Sequence, residues 1–245
     1  MNLAIRLLAF LLLGGALRAA DSLDHARRAQ ELLGPGVWSQ VIKVENKSTG
    51  SVYPKELHAL VFEIAGILWF YTAADGTQSF SLHRNRLAEE KADLRPLLQA
   101  IEPGFVAWEV VAAGVPRVQK RPVPLPYGCF VESVAALRAE VARGVEVSRP
   151  QLLSYYVRTA AGRQGHTVLV YETSEGVRVI DPQEAKALRR FPGSLAGNPV
   201  ALARALHRGR IAEARWIPLD MPVMRDVTEA LAADAEKLLE SEKKS

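Results

Sequence analysis

Tyr127-Gly128-Cys129-Phe130-Val131-Glu132-Ser133-Val134-Ala135-Ala136-Leu137 holds the chain's one cysteine, and the fold turns on how it is read. Pro116, Pro122, Pro124 and Pro126 keep the approach extended, and Gly128 permits a tight entry. From Cys129 onward the residues form helices well, and Gly144 ends the run, so a helix is predicted over Cys129–Arg143. A thiol in the first turn of a helix meets the positive end of the macrodipole and several unpaired N–H groups. Both favour thiolate over thiol and make the sulfur a better nucleophile. The same N–H groups can form an oxyanion hole. A lone cysteine is otherwise a small buried hydrophobe, so a catalytic reading needs companions.

Two companions lie downstream. Gly165-His166-Thr167-Val168-Leu169-Val170-Tyr171 opens a strand on a histidine, and Val177-Arg178-Val179-Ile180 leads into Asp181-Pro182. A hairpin folded about Ser174–Glu175 puts Asp181 within about two positions of the residue opposite His166. Diagonal neighbours at that spacing are roughly 7–8 Å apart at the backbone, within side-chain reach. A carboxylate there fixes the imidazole tautomer and leaves the other nitrogen for the thiol. Cys129 as nucleophile, His166 as general acid/base and Asp181 as orienter are therefore the candidate catalytic residues.

These residues resemble the papain-like cysteine peptidase and transglutaminase-like superfamily. The resemblance rests on Gly128-Cys129 opening an Ala/Leu-rich helix that ends at Gly144-Val145, on His166 at a strand start, and on Val179-Ile180-Asp181-Pro182. It spans roughly Pro122–Ile217. The Cys, His, Asp order with short separations is similar to the compact bacterial branches of that superfamily. The resemblance implies attack on an amide carbonyl by Cys129, proton shuttling by His166, and transfer of the acyl group to water or an amine. It also implies an oxyanion donor upstream of the nucleophile, for which Gln119 and Tyr127 are the candidates.

The rest of the chain frames this unit. Residues 1–20 place Arg6 before the apolar run Leu7–Leu13 and end in small residues, the layout of a signal peptide cleaved after Ala19 or Ala20, with an uncleaved anchor as the alternative. That run is too short for a membrane span, which needs about 20 apolar residues. Export to the periplasm or the exterior is the expectation. Residues 21–115 read as a helix over Asp21–Leu33 and an antiparallel meander over Trp38–Leu82, with strands Trp38–Val44, Leu57–Ile64, Ile67–Thr72 and Thr77–Leu82. A short helix, Leu94–Ile101, and a strand, Phe105–Val111, follow. Residues 116–220 form the papain-like unit, with a second helix predicted over Arg149–Thr159 because Pro150 suits a first helical turn. Ala201–Leu206 reads as a helix and Ala212–Ile217 as a strand. Residues 221–245 read as a charged surface helix, Val227–Glu242. The expected fold class is α+β, with an N-terminal antiparallel β-rich subdomain and, as the resemblance implies, a papain-like C-terminal unit.

Composition narrows the function. With 49% hydrophobic and 24% charged residues over 245 positions, the chain is globular and can bury a core. One cysteine excludes an intrachain disulfide framework and a Cys-rich zinc site. Losing the leader removes Arg6 and Arg18 and no acid, so the formal charge of +4 falls by two. That balance, without a basic run interleaved with aromatics, gives no sign of nucleic-acid binding. His25, His58, His83 and His207 lack ligand spacing, so no metal site is expected. No glycine-rich phosphate loop is present, and no cofactor is implied. Asn46-Lys47-Ser48 matches a glycosylation acceptor, a motif common by chance. The expected activity is an exported thiol hydrolase or acyltransferase acting on a peptide or amide bond, cell-wall peptide included. The rival is a catalytically inactive papain-like domain that binds a peptide or protein partner in the same cleft.

Overall fold

The structure, a computed structural model, describes residues 19–80, 94–111, 125–160, 162–184 and 188–219. Residues 1–18 of the leader, the charged run Arg84–Asp93, most of the Pro-rich stretch with Gln119, and the C-terminal helix expected over Val227–Glu242 lie outside the described residues. So does His83.

Two five-stranded antiparallel sheets and four helices make up the described fold. The first sheet contains β1 (Ser39–Asn46), β2 (Glu56–Ile64), β3 (Ile67–Thr72), β4 (Gly76–Phe80) and β5 (Phe105–Val110), in the order β4-β3-β2-β1-β5. The meander read from Trp38–Leu82 is present over Ser39–Phe80, and β5 returns to pair with β1. The second sheet contains β6 (Ser148–Thr159), β7 (Gly162–Thr173), β8 (Gly176–Ile180), β9 (Leu188–Phe191) and β10 (Arg210–Pro218), in the order β10-β6-β7-β8-β9. Helices α1 (Ala19–Leu33), α2 (Arg95–Ile101), α3 (Cys129–Ala142) and α4 (Pro199–Leu206) cover the sheets. Among the described residues no helix is long and apolar enough to cross a membrane.

The strand period of two decides the layering. On β2 and β3, Leu60, Phe62, Trp69 and Tyr71 point inward, and Leu57, Ala59, Leu68 and Phe70 point to the other face. On β7, Leu169 and Tyr171 point inward, while Val168 and Val170 point outward. The two inner faces share one core, with Ala26, Ala29 and Leu33 of α1 and Val131, Val134 and Leu137 of α3 between them. Leu97 and Leu98 of α2 close the outer face of the first sheet. Leu202 and Ala203 of α4 close the outer face of the second. Each large apolar side chain buried in these layers contributes about 1.5–3 kcal/mol.

One element departs from the sequence reading. Arg149–Thr159 is not a helix but most of β6, paired with β7 and β10. Pro150 suggested a helix start, yet it sits at a bulge between Ser148 and Gln151, beside Arg149 in the left-handed region. Leu153, Tyr155 and Val157 alternate onto the outer core, and Leu152 faces the inner one. Two tyrosines and a valine at alternating burial are strand residues, and tertiary pairing outweighs the weak proline signal.

Candidate active site

Helix α3 is seated before its first turn begins. Leu125 N–H donates to Glu132 Oε1 at 2.9 Å, and Gly128 N–H donates to Leu125 O at 3.0 Å. Tyr71, from the first sheet, donates its hydroxyl to Pro126 O at 3.0 Å. Gly128 is required by space, because a Cβ there would stand 2.3 Å from Leu125 Cβ. Tyr127 holds a left-handed backbone, φ 52°, which a bulky residue adopts only under constraint from its surroundings. These bonds fix where Cys129 opens the helix. One turn on, Ser133 Oγ donates to Thr167 O at 3.1 Å and locks α3 onto β7 beside His166.

Strand pairing delivers the other two residues. β7 and β8 pair with Leu169 opposite Ile180, so Asp181 falls two positions from the partner of His166. His166, Val168 and Val170 share the outer face of β7. β8 stops at Ile180, and Asp181 turns into the space beside the ring. His166 Nε2 donates to Asp181 Oδ2 at 2.7 Å. The second carboxylate oxygen accepts the Gln183 N–H at 3.0 Å, which fixes the carboxylate plane.

Charge follows from this geometry. Burial opposes a charge on His166, but hydrogen bonds and charge interactions with Asp181 and Cys129 overcome it and raise the pKa from 6.5 to about 9. Burial likewise pushes the Asp181 carboxyl upward, and the His166 bond and charge, the Gln183 N–H and Arg189 pull it below its ordinary value. Imidazolium and carboxylate therefore coexist at neutral pH.

The sequence reading missed Tyr155. It lies directly opposite His166 in the β6–β7 register, with its ring edge-on to the imidazole at 5.5 Å between centroids. Burial first, then the charges of Asp181, Glu184 and Cys129, hold its phenol protonated well above the usual tyrosine range. Tyr71 is raised in the same direction by burial, Glu132 and Cys129. The alternation of Tyr155 with Leu153 and Val157 was the signal that would have found it.

A groove of about 240 Å³ opens beside the pair. Gln164, Gln183, Glu184, Arg189 and His207 line it together with Tyr155, His166 and Asp181. Arg189 pairs with Glu184 and donates to Leu206 O, so the wall is polar but internally neutralised. His207 Nδ1 accepts the Gly209 N–H at 2.9 Å, which leaves Nε2 as the free ring nitrogen. Tyr127 is 65% exposed, and Gln119 lies outside the described residues. His25 and His58 belong to α1 and β2, and His58 Nδ1 is bonded to Ser22 Oγ at 3.0 Å. Among the described residues no group of three or more His, Cys, Asp or Glu is placed to hold a metal ion.

Comparison with protein-family models, with curated proteins and with solved structures finds no match to this chain.

Proposed function

We propose that the protein is an exported thiol hydrolase or acyltransferase of the papain-like kind, acting on a peptide or amide bond through Cys129, His166 and Asp181. The observation that carries this reading is the His166–Asp181 bond of 2.7 Å, in a ring whose protonated form Cys129 also favours. With Nε2 held by Asp181, Nδ1 is the nitrogen left to exchange a proton with the thiol. The Cys129 sulfur forms a bond to the amide carbonyl carbon, and the carbonyl oxygen takes the negative charge. Free N–H groups at the start of α3 stabilise that oxyanion. As the C–N bond breaks, the imidazolium gives its proton to the departing amine. The imidazole then takes a proton from water, or from an acceptor amine, as that group attacks the thioester and releases Cys129. Asp181 stays ionised throughout and holds the ring in plane.

Iodoacetamide labelling read by mass spectrometry tests the nucleophile without knowledge of the substrate. Alkylation of Cys129 at pH 6.5–7 should proceed readily and slow by roughly tenfold or more in His166→Ala. Equal rates in the two proteins would leave the site as a binding cleft.

A further inference from the structure

Among the described residues, the antiparallel ladder leaves part of β7 unpaired next to the site. Both tight hairpins that flank β7 fix which backbone groups point where. Thr159 faces Gly162 across one, so the N–H and C=O of Gly162, Gln164 and His166 bond to β6. Thr173 faces Gly176 across the other, so odd-numbered residues of β7 turn toward the β8 side. β8 covers only Leu169–Thr173. Thr167 O, on the uncovered side, accepts from Ser133 Oγ, which agrees with that alternation. Among the described residues nothing pairs with the N–H of Thr167 or with the N–H and C=O of Gly165 and Arg163 on that side.

This unpaired stretch, Gly162–Val168, covers seven residues, about 23 Å of strand. It passes His166 and runs beside the groove that Gln164, Gln183 and Glu184 line. Natural sheets protect such edges with proline, bulges or a covering segment. Here the edge carries two glycines, Gly162 and Gly165, and the exposed backbone leads straight to the thiol's partner.

We infer that the substrate is an extended peptide that adds to the second sheet as a strand along Arg163–Thr167, laying its main chain past His166. The inference rests on the hydrolase reading for the consequence of binding, but the pairing itself needs no catalysis. Main-chain bonds would supply affinity with little dependence on sequence, and alternate side chains would enter the polar groove.

The test uses the Cys129→Ala protein, which cannot turn substrate over, titrated with reduced carboxymethylated casein as an unfolded chain. Amide hydrogen exchange is read residue by residue. Exchange at Arg163, Gly165 and Thr167 should slow at least tenfold on binding, while Gln164 and His166, already bonded to β6, change little. Gly165→Pro removes the outward N–H at an edge position where proline is tolerated. It should weaken casein binding at least tenfold relative to Gly165→Ala, which makes the same contact with Tyr156 but keeps the donor. Absence of casein binding, binding without protection at those three amides, or amides already protected in the free protein would each overturn the inference. If Gly165→Pro does not fold, the exchange measurement alone decides. Iodoacetamide labelling of the wild type and His166→Ala separates the two readings, because a dead triad leaves the exchange result standing and a closed edge leaves the labelling result standing.

Discussion

Replacing Asp181 by Asn removes the charge that holds His166 protonated. The rise of His166 from 6.5 to about 9 corresponds to roughly 3 kcal/mol of preference for the imidazolium. Burial works against that preference, and Asp181 supplies both a hydrogen bond and a charge in its favour. In Asp181→Asn an oxygen still accepts from Nε2, but burial then meets only Cys129. The ring should titrate about two pH units lower or more. Because the folded pKa is raised, the pair stabilises the fold fully below pH 6.5, and its contribution disappears as pH rises through about 9. Urea unfolding at pH 6 should therefore separate wild type from variant by about 2–3 kcal/mol, and much less near pH 10. The pKa itself is read by NMR of the ring carbons, with five histidines to resolve and His166→Gln to assign the signal. A wild-type midpoint near 6.5, or the same midpoint in both proteins, would refute the coupling on which the catalytic reading stands.

Two further changes probe how the site is seated. Gly128→Ala forces a Cβ to within 2.3 Å of Leu125 Cβ, so the entry to α3 must shift, lowering stability by about 1–3 kcal/mol in thermal unfolding and slowing Cys129 alkylation. Tyr171→Phe strips a 2.7 Å bond from the buried carboxylate of Glu140, which Arg143 also contacts, and should cost about 1–3 kcal/mol in urea unfolding. A Tyr171→Phe protein as stable as wild type would mean that Glu140 is not held as described.

The elements bounded by clear turn residues were the ones legible in the sequence. Ser174–Glu175 sits between two apolar runs, and that alone fixed the β7–β8 register and the placement of Asp181 beside His166. The helix start at Cys129 was legible because proline and glycine punctuate it. β6 was not, because Pro150 fits a helix start as well as a bulge, and only the long-range pairing with β7 and β10 distinguishes them. β9, Leu188–Phe191, left no trace because two of its four residues are arginines and it packs at the sheet edge. The groove could not be read either. Gln164, Gln183, Arg189 and His207 come from separate elements, and each is an ordinary surface residue until the second sheet gathers them.

The shared core gives the first sheet a part in timing. Phe130, the residue after Cys129, packs on Trp69 at 4.3 Å and Phe62 at 5.9 Å between ring centroids, and Tyr71 holds Pro126 just upstream. Those three aromatic residues belong to strands that leave the ribosome well before Cys129 does. A chain made from its N-terminus thus has the seat for α3 in place before the helix emerges. The strand that carries His166 and the turn that carries Asp181 emerge after the helix and meet it there. A shortened chain that began after Val110 would make the second sheet with no surface to receive Phe130, and its cysteine would have no fixed position to occupy.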